Sequence, residues 1–216
     1  MDKRYVIVIG RQYGSGGREI GVKLSQKLGI PLYDKEILAT IAEEKGIEHE
    51  RIVSMDENIQ GNRLRNIGMQ AGKALLGTGY LYETDHRSII GRDHVFEWQS
   101  DLIKRLAAEG PCIIIGRCAD YILQDDPDLI SLFITAPFKA RVERIKRLHP
   151  EYPKESYETH AELVRKTDRI RSTYYNYHTD REWGNVRNYH LVVDATKLGV
   201  DGTVEMLADY VKHAVG

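Results

Sequence analysis

Several features that would place this chain in a particular class of protein are missing from its sequence. It has only two cysteines, Cys112 and Cys118, which are too few and too close for a disulfide framework or a zinc site. A formal net charge of −1 gives no overall attraction to nucleic acid or to a membrane. No apolar run is long enough to cross a bilayer, and the first residues lead into a short strand, not a signal sequence. We expect a cytoplasmic protein that binds neither nucleic acid nor membranes, so any affinity for phosphate must come from a local site.

The sequence does contain an alternation of buried strands and amphipathic helices, with no internal repeat. Short apolar runs predict strands over residues 5–9, 30–33, 111–116, 129–136 and 191–194, and apolar positions at helical spacing predict helices over 18–28, 35–46, 95–108, 138–148 and 200–215. Such an order implies a parallel sheet with helices on both faces, a three-layer α/β sandwich. We expect the runs 111–116 and 129–136 to form the two central strands.

Two segments depart from this alternation. Between residues 47 and 93 the pattern weakens and glycines are scattered among polar residues, which predicts an insertion that closes over a substrate, forms the interface of a homodimer, or both. Residues 157–183 form a strongly charged helical stretch, which predicts a lid over about 151–185. We therefore interpret residues 1–216 as one domain with a core of 1–46, 94–150 and 186–216.

A glycine-rich loop, GRQYGSGGR over residues 10–18, joins the first strand to the first helix. Such a turn gathers backbone N–H groups at the positive end of the helix dipole, so it is suited to bind a phosphate chain. Glycines allow close approach of the backbone, and a serine and an arginine add a hydroxyl and a charge. The predicted nucleotide-binding residues are Gly14, Ser15, Gly16, Gly17, Arg18 and Glu19.

This loop lacks the lysine of the standard G-x-x-x-x-G-K-[ST] motif. If Gly16 takes the second-glycine position, Arg11 stands in the position of the first glycine, Gly17 in that of the lysine and Arg18 in that of the hydroxyl. Backbone amides would then carry most of the binding, and Arg18 is the candidate replacement for the lysine.

A dinucleotide-binding fingerprint is the competing interpretation of the loop. Asp34 ends the second strand, where a ribose-binding acid is expected. Reading G-x-G-x-x-G from Gly14, however, puts Glu19 in the position of the third glycine, where an acidic side chain would crowd the packing of helix on strand. This spacing disfavours a dinucleotide-dependent oxidoreductase.

Four segments along the chain carry a resemblance to a known family. They are RQYGSGGREI at 11–20, LYDKE at 32–36, GRCADY at 116–121 and DRIR at 168–171. In these segments the chain resembles the cytidylate kinase-like family of P-loop proteins, relatives of the nucleoside monophosphate kinases, over nearly its whole length. The resemblance implies a P-loop-type fold with a helical insertion and a helical lid.

The resemblance also implies a reaction and a set of residues. Such a kinase moves the γ-phosphoryl group of ATP, with Mg²⁺, to a cytidylate-like or related small acceptor while lid arginines close over the phosphates. Cys118 stands where cytidylate kinases have an aspartate of a Gly-Arg-Asp segment, which leaves the acceptor open. Transferred onto this sequence, the catalytic residues are Arg18, Arg117, Arg169 and Arg171, and the substrate-binding residues are Asp34, Arg117 and Asp120. No metal ligands are assigned, because the histidines show no ligand spacing.

The charged helices allow two interpretations. Arg165, Lys166 and the two lid arginines could stabilise a transferring phosphoryl group, or they could simply be solvated. Four basic residues within 138–148 are expected to form a solvated face: Arg141, Arg144, Lys146 and Arg147. The tyrosines at 174, 175 and 177 are expected to pack on the core. A nucleotide-binding sensor without turnover is the alternative function, since the loop has lost its lysine.

Overall fold

The computed structural model describes residues 4–34, 86–148 and 156–216, with the side chains of residues 86–95 excepted. Within this part the strands are β1 (Val6–Arg11), β2 (Leu32–Tyr33), β3 (Cys112–Ile115), β4 (Leu129–Thr135) and β5 (Leu191–Asp194). The helices are α1 (Gly17–Leu28), α2 (His86–Glu109), α3 (Ala119–Ile122), α4 (Phe138–Leu148), α5 (Tyr157–Thr179) and α6 (Gly199–Val215). A 3-10 turn, Val186–Asn188, precedes β5. The helix predicted over 35–46 and most of the insertion predicted over 47–93 lie outside the described residues.

The strands form a parallel sheet in the order β2-β3-β1-β4-β5, which confirms the predicted five-stranded parallel sheet. The prediction that residues 111–116 and 129–136 are the two central strands is wrong in one respect. β1 is the central strand, and β3 and β4 lie on either side of it. The first strand is therefore paired on both edges, and the loop that follows it emerges from the middle of the sheet.

Strand β2 is shorter than the predicted segment 30–33. The N–H of Ile30 donates to the carbonyl of Ser25, 3.2 Å away, and so belongs to the turn that ends α1. Pro31 has no N–H to give to a ladder, although its carbonyl accepts from Ile113 at 2.8 Å. Only Leu32 and Tyr33 remain to pair with β3.

Two apolar clusters sandwich the sheet, because successive residues of a strand point to opposite faces. Ile7 and Ile9 of β1 pack with α1 and α6, whereas Val6 and Val8 pack with Ile103 of α2 and with α3. All four of these β1 side chains are completely buried. The burial of both faces explains why the strands are continuous apolar runs and gives the three-layer arrangement predicted from the sequence.

Contacts divide the chain into two compact units, which are described separately. One comprises Met1–Tyr33 and Ile103–Gly216 and contains the sheet and the loop after β1, and the other comprises Asp34–Leu102. The insertion predicted over 47–93 falls in the second unit. Among the described helices none is long and apolar enough to span a bilayer.

Candidate phosphate-binding site

The loop between β1 and α1 has the backbone shape of an anion site. Gly14 and Gly16 have φ angles of 78° and 89°, in the left-handed region that favours glycine. Gly16 caps α1, which begins at Gly17, so the loop leads directly into the positive end of the helix dipole. A Cβ atom on Gly14 would lie 2.7 Å from the carbonyl oxygen of Arg141, so this position also lacks room for a side chain.

Side chains within the loop and at the end of β4 fix its path. The Ser15 hydroxyl is buried and donates to the carbonyl of Gln12 at 2.8 Å. The Gln12 side-chain oxygen in turn accepts from the Thr135 hydroxyl at 2.5 Å and from the N–H of Ala136 at 3.3 Å. Ser15 thus holds the loop. Its hydroxyl, which was predicted to contact phosphate, donates to the Gln12 carbonyl in this structure.

Helix α5 reaches the same loop through a carboxylate. Asp168 accepts from the N–H of Tyr13 at 2.7 Å with one oxygen and from Arg141 at 2.5 Å with the other. Arg141 also donates to the carbonyls of Tyr13 and Ala136, at 3.0 and 3.1 Å. This network joins the loop, α4 and α5, so a residue of the predicted lid region helps to shape the loop between β1 and α1.

Arg171 adds a second connection from α5. One of its Nη atoms donates to the carbonyl of Arg11 at 3.1 Å, and its guanidinium lies 5.4 Å from the centre of the Tyr13 ring. Its Nε is buried and has no hydrogen-bond partner among the described residues. Burial lowers the pKa of the Arg171 guanidinium and raises the pKa of the Tyr13 hydroxyl to about 12, so this hydroxyl stays protonated near neutral pH.

A further arginine of α4 lies against the start of α1. A Cβ on Gly16 would be 3.5 Å from the Cζ atom of Arg144, whose guanidinium pairs with Glu19. Glu19 also lies 3.4 Å from the Lys23 ammonium, so this carboxylate, predicted to contact the nucleotide, is paired with two cationic side chains. Arg18, the predicted replacement for the lysine, is exposed on the first turn of α1.

The turn after β3 has an unusual backbone. Gly116, Arg117 and Cys118 have consecutive positive φ angles of 71°, 59° and 56°. Each non-glycine residue in this region costs about 1–2 kcal/mol, so the surrounding structure must hold the turn. The predicted acceptor arginine, Arg117, is therefore presented by a strained turn at the carboxyl end of β3, where open α/β sheets bind ligands.

Beneath this turn lies a buried polar cluster. The Tyr175 hydroxyl donates to Asp120 at 2.6 Å, and the side chains of Tyr189 and Cys118 are also buried nearby. Burial raises the pKa of the Asp120 carboxyl and of both tyrosine hydroxyls. The structure places Asp120 in a contact that stabilises the fold, and its predicted contact with an acceptor stays a prediction.

The remaining predicted residues fall in different places. Asp34 follows β2, is buried and belongs to the second compact unit. Arg169 is exposed on α5, as are Arg165 and Lys166, so within that helix Arg171 is the predicted arginine whose side chain contacts the loop. Of the three tyrosines, Tyr175 is buried as predicted. Tyr177 is half exposed, contrary to the prediction.

The prediction of a solvated basic face on α4 is wrong for Arg141, which is 6% exposed. This residue lies one position before Val142 and four before Ile145, and helical periodicity places all three on the buried face. That spacing could have identified it from the sequence. Asp168 could not have been assigned in this way, because its partner Tyr13 is distant along the chain.

The described residues contain no cluster of three or more histidine, cysteine, aspartate or glutamate side chains that could hold a metal ion. Glu19 and Asp168, the carboxylates beside the loop, are both paired with arginines.

Comparison with known proteins agrees with this geometry. The sequence matches the model of the cytidylate kinase-like family over residues 6–197. The chain belongs to this family. Membership of the cytidylate kinase-like family confirms the resemblance found in the sequence and supports a phosphotransferase of the kinase type.

Solved structures show the same fold. An uncharacterized protein from Eubacterium ventriosum ATCC 27560 is similar with 25% identity and a TM-score of 0.66, covering 97% of this chain and 99% of that one. A gluconokinase from Sinorhizobium meliloti 1021 is similar with 16% identity and a TM-score of 0.52, covering 99% and 97%. At that identity the second likeness concerns the fold alone. No curated protein sequence gave a significant match.

Proposed function

We propose that this cytidylate kinase-like protein is an ATP-dependent phosphotransferase that moves the γ-phosphoryl group to a nucleoside monophosphate or a related small anionic acceptor. The observation that carries the proposal is the loop after β1. Its left-handed glycines lead into the first turn of α1, and three arginines from α4 and α5, Arg141, Arg144 and Arg171, surround it. Backbone donors and arginines at a helix N-terminus are the chemistry that holds a phosphate chain.

On the donor side, the loop backbone from Gly14 to Gly17 would bind the phosphates through its N–H groups. Arg144 lies against Gly16 and would add charge there, and Arg18 would contribute from the exposed first turn of α1. Asp168 and Arg141 hold the loop in place before nucleotide binds, which lowers the cost of organising it. The bound ATP would supply the phosphoryl group.

On the acceptor side, the strained turn after β3 would present Arg117 to an anionic acceptor, with the lid arginines Arg169 and Arg171 completing the cationic surroundings. A guanidinium binds a phosphate through two parallel hydrogen bonds, which fixes orientation as well as charge. An acceptor that is already an ionised phosphate needs no dedicated base, so positioning and electrostatics suffice for the transfer. Asp34 is proposed as a further polar group toward the acceptor or the cation.

Mg²⁺ would accompany the nucleotide at this site. Oxygen ligands from substrate phosphates usually hold most of this ion in phosphotransferases. The described carboxylates beside the loop are occupied by arginines, as stated above. The role of Mg²⁺ would be to neutralise charge on the phosphates, while this chain's loop amides and arginines orient the phosphates.

An ADP-release assay with MgATP and a panel of nucleoside monophosphates and nucleosides tests the proposal. We expect acceptor-dependent ADP release with at least one nucleoside monophosphate. Asp168→Asn should raise the KM for ATP about tenfold, because the Tyr13 N–H and Arg141 lose a charged acceptor.

Asp126→Asn is a matched control for that variant. Asp126 has a similar exposure, 13% against 17% for Asp168, and it also accepts from an arginine, Arg4, and from a backbone N–H. Asp126 precedes β4 and so lies at the amino ends of the strands, whereas the loop lies at their carboxyl ends. The loss of its carboxylate should therefore reduce stability without changing the KM for ATP. Binding of ATP without turnover on any acceptor would instead favour the nucleotide sensor.

A further inference from the structure

We infer that Arg11 supplies the cation that a lysine supplies in standard phosphate loops. The inference rests on the proposed function, since it adds a residue to the same nucleotide site. Relative to G-x-x-x-x-G-K, this loop has an arginine in the position of the first glycine and a glycine in that of the lysine, at Arg11 and Gly17. The glycine and the cation have exchanged positions.

The structure shows that the two positions are in contact. A Cβ atom built on Gly17 would lie 2.5 Å from the Cβ of Arg11 and 3.1 Å from its Cγ. The stem of the Arg11 side chain therefore fills the space in which a lysine at position 17 would begin. A lysine at 17 and an arginine at 11 exclude each other, so the exchange is reciprocal in space as well as in sequence.

The far end of the Arg11 side chain reaches the turn after β3. A Cβ on Gly116 would collide with the Nη1 atom of Arg11, so this glycine too leaves room for the guanidinium. The side chain thus runs from the start of α1 to the turn that carries Arg117. Its path crosses the carboxyl ends of β1 and β3, between the proposed donor and acceptor sides of the site.

The backbone of Arg11 is held firmly enough to direct such a side chain. Arg11 is the last residue of β1, it pairs with Ile134 of β4, and its carbonyl accepts from Arg171 at 3.1 Å. Its side chain is half-buried, whereas that of Arg18 is exposed. A cation on a fixed backbone in a partly desolvated setting acts more strongly on a phosphate than an exposed one does.

Restoring the standard arrangement tests the inference. The affinity for MgADP is measured by calorimetry for the wild type, Arg11→Gly, Gly17→Lys and the double variant that carries both changes. Arg11→Gly should weaken binding by about tenfold to a hundredfold, the effect of losing one charge-assisted contact. Gly17→Lys alone should also weaken binding, because its side chain collides with Arg11. The double variant should recover most of the wild-type affinity.

Two further variants keep the result interpretable. Arg11→Met retains the apolar stem beside Gly17 and should weaken MgADP binding as Arg11→Gly does, even if the glycine variant folds poorly. Arg4→Met removes an arginine that lies just before the start of β1 and pairs with Asp126. This variant should leave MgADP affinity unchanged. Thermal melting of each variant checks that it is folded.

The outcomes separate this inference from the proposed function. Wild-type affinity for MgADP in Arg11→Met, or a double variant as weak as Arg11→Gly, would overturn the role of Arg11 and leave the kinase proposal standing. A wild-type protein that binds no nucleotide would overturn both.

Discussion

The loop after β1 and the turn after β3 both follow buried strands and both contain left-handed backbone, but different residue types adopt it in the two places. The loop uses glycine, at Gly14 and Gly16, whereas the turn uses Arg117 and Cys118 after a single glycine. A glycine backbone leaves room for a ligand to approach, while a strained side chain fixes the direction of one functional group. From this difference we expect the loop to bind a ligand through its backbone and the turn to bind one through a side chain.

The largest effect is expected when a left-handed glycine of the loop is replaced. Gly14→Ala should lower the free energy of unfolding by about 3 kcal/mol and abolish MgADP binding, because left-handed strain adds to a clash with the carbonyl of Arg141. Gly29→Ala is the control. Gly29 also has a positive φ angle, 68°, but nothing lies within 4 Å of a Cβ there, and its cost should be about 1 kcal/mol. Equal losses in urea unfolding would show that crowding by Arg141 does not matter.

A smaller effect is expected when a left-handed arginine of the turn is replaced by glycine. Arg117→Gly removes a side chain that is strained at φ 59°, so the free energy of unfolding should stay equal or rise by up to about 1 kcal/mol. Acceptor-dependent turnover should fall at least tenfold, with MgADP affinity preserved. Stability is measured by urea unfolding and turnover by ADP release. Unchanged turnover would remove Arg117 from the acceptor side.

The smallest effect concerns the carboxyl buried beneath the turn. The pKa of Asp120 is raised above its usual 3.8 by burial, so the folded protein holds this proton at pH values where the unfolded chain has released it. The free energy of unfolding of the wild type therefore falls as the pH rises from the usual pKa of this carboxyl through its pKa in the folded protein. Asp120→Asn lacks this loss, and its stability relative to the wild type should rise over the same interval in urea unfolding. A difference that does not vary with pH would contradict a raised pKa for the Asp120 carboxyl.

Much of the fold could be predicted from the sequence because each element has its own local signal. The bounds of α4 and β5 were predicted without error, and the loop was placed between a strand and a helix. The position of β1 in the middle of the sheet could not be predicted, since every one of the buried strands has the same apolar character.

The candidate site could be predicted only in part, because its network depends on contacts between distant residues. The glycines of the loop were found from their pattern alone. Asp168 and Arg141, however, contact Tyr13 from helices far along the chain, and a charge pattern cannot distinguish a solvated arginine from a buried one. The sequence shows that Arg11 and Gly17 depart from the residue types of the standard motif. That the two positions are in contact is seen only in the structure.

The glycine in the lysine position also bears on the chemical resistance of the site. The segment from Gly10 to Glu19 contains no lysine amine, so reagents that acylate or carbamylate amines have no target within the loop itself. A guanidinium also keeps its charge at alkaline pH, where a lysine ammonium begins to lose its proton. With Arg11 as its proposed cation, we expect phosphate binding by this loop to tolerate amine modification and alkaline conditions that would neutralise a lysine at position 17.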